Sequence, residues 1–279
     1  MYPVSRPRLI RTIRFILYGV AAIALGGFLF AWSGLYSVAA SRGHFAVTNA
    51  ILTFGMRNSV KTHALGIEAP QTYSNDLATL GAAHFHDGCA YCHGAPGAPI
   101  DPIAQSMLPS PPDLSKAVRD WRDRELFWIV KHGIKYTGMP AWVAAQRDDE
   151  VWAVVAFLKQ LPTLDAAGYR ELALGGLSVR PQVGSEIATT EDTSEAMSAC
   201  ARCHGADDRG PKSHLVPVLH GQPAEFLIAA LEDFAAGRRA SGIMQPVDEG
   251  TMRKTRASER PKNRQPDENR HHCGPPSWI

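Results

Sequence analysis

The sequence predicts an all-α chain in which an N-terminal transmembrane helix precedes two small helical domains in tandem. Three observations lead there. From Phe15 to Tyr36 no residue is charged, and that length matches the roughly 20 residues needed to cross a bilayer as a helix. A five-residue pattern occurs twice, as Cys89-Ala-Tyr-Cys92-His93 and Cys200-Ala-Arg-Cys203-His204. Apolar residues near both copies recur at the spacing of helices packed on one face. Composition agrees with a folded chain, with 45% hydrophobic and 20% charged residues over 279 positions, a length that suits about two domains. The net charge of +2 gives no reason to expect a nucleic-acid partner.

The CxxCH pattern is the attachment site of c-type haem. Its two thiols add across the vinyl groups, and the histidine next in line coordinates the iron. Two copies imply two covalently bound haem c groups, one on Cys89 and Cys92 with His93 as axial ligand, the other on Cys200 and Cys203 with His204. The competing use of four thiols is a structural zinc centre, which leaves both histidines without a role. The fifth cysteine, Cys273, stands alone in a polar tail, so no disulfide framework is needed.

Residues 1–36 read as a cytoplasmic N-terminus and membrane anchor. Arg6, Arg8, Arg11 and Arg14 precede the apolar run and hold the amino end in the cytoplasm, while Trp32 and Tyr36 suit an aromatic belt on the far side. The alternative is a signal peptide cut after Ala40, although an h-region usually spans only about 7–15 residues. Either reading places the haem regions outside the cytoplasm. The expectation is a single pass through a bacterial inner (cytoplasmic) membrane, with the haem domains in the periplasm. Residues 37–73 form a connector in which Val47–Leu65 mixes apolar and basic residues, as a helix at a membrane surface or a stalk helix packed on the first domain would.

The first domain spans residues 74–163. Ser74 suits the N-cap of a helix that turns Leu77, Leu80 and Phe85 toward a core and runs into Cys89. Asp148, Asp149 and Glu150 give a second helix a negative first turn, favourable at the positive end of its dipole. Val151, Trp152, Val154, Val155, Leu158 and Leu161 supply its apolar face. Gly81 and Phe85 stand eight and four positions before Cys89. With CxxCH and a C-terminal helix, this pattern resembles the class I cytochromes c, in which that glycine and aromatic let the first and last helices cross closely.

The resemblance implies further ligands. Met139, in Lys135-Tyr-Thr-Gly-Met139-Pro140-Ala-Trp142, is similar to the family's methionine loop and would be the sixth iron ligand of the first haem, with Met107 as its competitor. A thioether is soft, favours the reduced ion and raises the potential. The free ring nitrogen of the proximal histidine needs an acceptor that fixes the ring. By resemblance that acceptor is a proline carbonyl, Pro112 in the first domain and Pro217 in the second, though either can equally be an ordinary loop residue.

After a linker at residues 164–189, the second domain covers residues 190–248. Phe226, Leu227, Ala230, Leu231 and Phe234 give it an apolar helix face. Met244 is its expected sixth ligand, with Met252 as a poorer alternative in hydrophilic surroundings. This domain departs from the family pattern. Asp192 and Ala196 occupy the glycine and aromatic positions, and no apolar helix follows Val247. Residues 249–279 are polar, charged and proline-bearing, as in a disordered tail or an aberrant end such as a frameshift leaves. The second domain is therefore expected to lack its last helix.

The implied function is electron transfer, not catalysis. The chain is expected to pass single electrons between a dehydrogenase or quinol-oxidising complex and a terminal oxidase or other cytochrome. A dihaem peroxidase-like enzyme is the alternative and requires an open second haem site. A ligand sensor requires an output domain that this sequence does not contain.

Overall fold

The computed structural model describes residues 6–175, 200–205 and 210–245. Linker residues 176–189, the positions Asp192 and Ala196, Met252 and the tail 249–279 lie outside the described residues. Apart from an isolated bridge between Ala95 and Ala98, every regular element among the described residues is helical. The chain divides into two compact units, Met1–Leu52 and Thr53–Ile279.

The first unit contains α1 (Arg6–Trp32) and the start of α2 (Ala46–His63). Within α1, Ile10–Trp32 is long and apolar enough to cross a membrane, and none of it is buried in the protein. In the second unit the end of α2 packs against residues 120–128. Val60 and Ala64 are buried, Arg57 pairs with Asp120 at 3.0 Å and lies over the Trp121 ring, and His63 faces Trp128.

The core of the second unit is built on α3 (Asn75–Gly88) and α8 (Asp148–Gln160). Ser74 caps α3, its side-chain oxygen accepting from the Leu77 amide at 3.2 Å. The two helices cross at Gly81, where a Cβ would lie 1.8 Å from the Ala153 carbonyl oxygen. Only a glycine permits that approach. One turn on, Phe85 is fully buried against Phe157, with ring centroids 5.0 Å apart. The face that α3 buries is Ala78, Gly81, Ala82 and Phe85, whereas Leu77 and Leu80 are only half-buried. Small side chains line the crossing because leucines would hold the helices apart. On α8, Val151, Ala153, Val154, Val155, Ala156, Phe157 and Leu158 are all buried, so this helix is covered on nearly every side.

Short helices α4 (Ala90–His93), α5 (Pro102–Gln105) and α6 (Leu114–Ala117) come after α3, and α7 (Asp123–His132) packs on α8. Phe127 of α7 stacks on Trp152 at 4.3 Å. The stretch expected to be linker opens with a further helix, α9 (Ala166–Leu174), capped by the Asp165 side chain and ended by Gly175 in a left-handed conformation. It packs on α3 and buries Tyr169, Ala173 and Leu174, so the first core runs beyond residue 163. Later in the chain, residues 200–204 are helical and α10 spans Ala224–Ala235. No residue of α10 is buried, and Phe226 and Leu231 of its expected apolar face are exposed.

Replacing Gly81 by alanine tests the crossing. Helix propensity alone would stabilise the variant by about 1 kcal/mol, but the clash with Ala153 reverses the sign. Chemical denaturation should show Gly81→Ala less stable by about 1–3 kcal/mol, while Gly55→Ala, at a position in α2 with open space around it, should be neutral or stabilising.

The core also carries a pH term. Burial and the charge of Arg202 hold His86 down at about 4, and burial, then the charge of Arg147, holds His84 at about 3. Both bind protons more readily unfolded than folded, so their contribution is complete above pH ~6.5 and is lost as pH falls toward the folded values. His86→Gln should remove a loss on the order of 2 kcal/mol between pH ~6.5 and ~4. Urea titrations of both proteins across that range measure the difference.

Candidate haem centres

The first CxxCH segment is presented by the end of α3. Cys89 closes that helix, its amide donating to the Phe85 carbonyl at 2.9 Å, and its own carbonyl accepts from the amides of Cys92 (3.1 Å) and His93 (2.9 Å). The two thiols therefore sit on one short turn. Gly94, at φ 69°, donates to Ala90 O at 2.8 Å and reverses the chain. A side chain there would press on Ala98 and Ile100.

His93 is held from behind. Its Nδ1 lies 3.0 Å from the carbonyl oxygen of Pro112. A carbonyl can only accept, so Nδ1 carries the proton and Nε2 keeps a lone pair. Burial lowers the histidine's affinity for a proton, partly offset by the Pro112 bond, which keeps the ring neutral, as metal ligation requires. His93 borders a cavity of about 400 Å³ whose lining includes Ile100, Leu114, Leu161 and Leu164. A paired-thiol turn and an imidazole with Nε2 available, beside a cleft lined by aliphatic side chains together with Asp113 and Ser115, fit c-type haem. Among the described residues no group of three or more His, Cys, Asp or Glu side chains gathers as a metal cage, so the four-thiolate zinc alternative has no centre there.

The second segment repeats this geometry. Cys200, Cys203 and His204 lie on the helical turn 200–204. Gly205, at φ 79°, donates to Ala201 O at 2.9 Å, as Gly94 does to Ala90. His204 Nδ1 lies 2.8 Å from Pro217 O. Each histidine is thus oriented by a proline carbonyl from the loop that comes after it.

Met139 and Met107 lie in loops, whereas Met244 is helical and comes just after the turn at 242–243. Gly133 ends α7 at φ 61°, and a Cβ there would meet the carbonyls of Met139 and Pro140 at 2.5 Å. The loop folds back on α7 through Ile134 N to Met139 O (3.3 Å) and Trp142 N to Lys131 O (2.9 Å). Thr137 Oγ1 accepts from the Met139 amide at 3.1 Å. At its tip Tyr136 has φ 61° and is 97% exposed. Met107 touches the same loop, its sulfur 2.7 Å from where a Gly138 Cβ would be. Met139, Met107 and Met244 are all half-buried. The Met244 amide donates to Ser241 Oγ at 3.2 Å.

Three charged residues at these centres were not singled out as site residues in the sequence. Arg202, between the cysteines of the second motif, pairs with Asp87, two residues before Cys89, and both are largely buried. The CxxCH segments therefore approach each other through these side chains. Lys212 Nζ donates to the carbonyls of Glu171 (2.7 Å) and Leu172 (3.0 Å) at the end of α9, and His214 pairs with Asp76. The third is Glu150, whose carboxylate is buried and reaches both methionine loops. Sequence offers one signal for the first pair: Arg202 lies between the two cysteines of the second motif.

Comparison with known proteins agrees with this chemistry. Residues 76–158 match the family model described as cytochrome c oxidase, cbb3-type, subunit III. The thiosulfate dehydrogenase electron acceptor of Stutzerimonas stutzeri is 40% identical over 73 residues, which are 25% of this chain and 34% of that protein. The chain thus matches about a third of that relative's length. The cytochrome subunit of sulfide dehydrogenase of Chlorobaculum tepidum is 36% identical over 88 residues, 31% of this chain and 74% of that subunit. No solved structure matches. With its turn of paired thiols, its neutral imidazole and these relatives, the chain belongs to the c-type cytochromes, proteins that move single electrons on covalently attached haem c.

Proposed function

We propose that this cytochrome carries two haems in tandem class I domains and is held by α1 in a bacterial inner membrane, with both domains in the periplasm. There it passes single electrons from a dehydrogenase or quinol-oxidising complex to an oxidase or another cytochrome. The observation that carries this reading is the repeated site geometry, in which each CxxCH turn ends in a left-handed glycine and each histidine bonds a proline carbonyl. Both relatives are named for dehydrogenases, of thiosulfate and of sulfide, which supports a dehydrogenase as electron donor.

When bound, haem supplies the one-electron iron couple. The chain's own residues tether and tune it. Cys89 with Cys92, and Cys200 with Cys203, fix each group to a helical turn. His93 and His204 would offer Nε2, and the Pro112 and Pro217 carbonyls, accepting from Nδ1, set the planes of those rings. Met139 and Met244 would each supply a thioether as the second iron ligand, which would favour the reduced ion. The buried side chains of Phe85, Leu161 and their neighbours exclude water and so limit reorganisation.

Intact mass and pyridine haemochrome should give two haems per chain, and the double variant Cys200→Ala, Cys203→Ala should retain one. One haem in the parent protein would refute the tandem reading. Met139→Ala should lower one reduction potential by on the order of 0.1 V or more, within the ~0.8 V that axial ligands span. It should also open that iron to carbon monoxide, which the parent protein should bind poorly. Strong carbon monoxide binding at the second iron of the parent protein would instead favour the peroxidase-like alternative.

A further inference from the structure

We propose that Glu150 is a positioning residue for both methionine loops, one buried carboxylate that ties the segment after Met139 to the segment before Met244. The proposal rests on the reading of those methionines as iron ligands and adds how they are held.

Glu150 is in the first turn of α8, beside Asp148 and Asp149, which are exposed and already complement the helix dipole. Glu150 itself is 3% exposed. A carboxylate so buried is costly unless its oxygens are fully paired, and here they are. Oε1 accepts from Ser241 Oγ at 2.7 Å and lies 3.1 Å from Arg147 Nη1. Oε2 accepts from the Gly242 amide at 2.6 Å and from Trp142 Nε1 at 3.2 Å. These four donors match the roughly four lone-pair sites of a carboxylate.

The donors have a pattern. Trp142 is three residues after Met139, and Ser241 is three residues before Met244. Ser241 relays the contact directly, because its Oγ also accepts from the amides of Ile243 (3.3 Å) and Met244 (3.2 Å). The two loops touch as well. A Cβ on Gly242 would lie 2.4 Å from the Trp142 ring, so the indole lies flush on the glycine backbone. Arg147 closes the arrangement by donating to Ala240 O at 2.8 Å. The Met244 loop is therefore fastened to the start of α8, whose remaining length forms the first core. A change that frees one loop loosens the partner group of the other.

The test uses the purified holoprotein in detergent and reads the weak far-red charge-transfer band of ferric iron bound by methionine sulfur, with carbon monoxide affinity alongside. Met139→Ala and Met244→Ala assign the band to each iron. Glu150→Ala should keep both haems and the helical circular dichroism. It should lose more than half of the Met244 band, weaken the Met139 band and bind carbon monoxide about 10-fold more tightly at the second iron, as loss of a ligand-orienting contact does. Glu150→Gln should restore both readouts only in part, because its amide oxygen still accepts from Gly242 and Trp142 while its NH₂ faces the donors Ser241 Oγ and Arg147 Nη1. If Glu150→Ala fails to fold, Ser241→Ala serves in its place and should show the second-site changes alone. Bands and affinity equal to the parent in the folded variant would overturn the proposal while leaving the ligation reading intact. Absence of any Met244 band in the parent would overturn both.

Discussion

Gly81 meeting the Ala153 carbonyl sets the distance between α3 and α8, the helices that carry the first CxxCH turn and Glu150. The end of α3 delivers Cys89 and the turn beyond it. The start of α8 delivers Glu150. Because the helices cross near their middles, the separation at Gly81 also fixes how far apart those two ends lie, and hence where the thiols stand relative to the methionine loops. Phe85 and Phe157 fill the space beside the crossing, which makes the approach rigid as well as close.

A second constraint operates at the histidines. Each CxxCH turn would leave its imidazole free to rotate about two bonds if nothing held the far nitrogen. The carbonyls of Pro112 and Pro217 do so at 3.0 and 2.8 Å. Proline suits that position since it has no amide hydrogen of its own to satisfy and its fixed φ stiffens the loop. The two regions differ in how they are supported. The first has a deep core of buried aromatic and aliphatic side chains, while α10 buries none. Among the described residues, the second region is secured mainly by polar contacts to the first: Asp87 with Arg202, Lys212 with the end of α9, and Glu150 with Ser241 and Gly242.

Local patterns were legible in the sequence and distant ones were not. The cap at Ser74 and the apolar face of α8 arise from residues within a few turns of one another, whereas the close crossing at Gly81 and the burial of Phe85 are implied by the resemblance to the class I cytochromes c. Periodicity favours the large side chains Leu77 and Leu80 for the buried face of α3, whereas the close crossing selects Ala78 and Ala82. Helix α9 has the look of a linker in sequence, because it is only nine residues long with Gly168 in its first turn and Gly175 at its end. Glu150 looked like a residue serving the helix dipole. Besides Arg147 and Trp142 nearby, its partners Ser241 and Gly242 lie 91 and 92 positions later, and no local pattern announces such a contact.

The proposed function turns on a pair of irons, each bound by one histidine and one methionine in a single chain. Electron paramagnetic resonance of the fully oxidised protein at low temperature probes that ligation at once, since it reports the ligand field at every ferric centre. Two low-spin signals of histidine–methionine character are expected, each integrating to about one spin per chain. A high-spin signal, or a total of only one spin, would contradict the paired ligation.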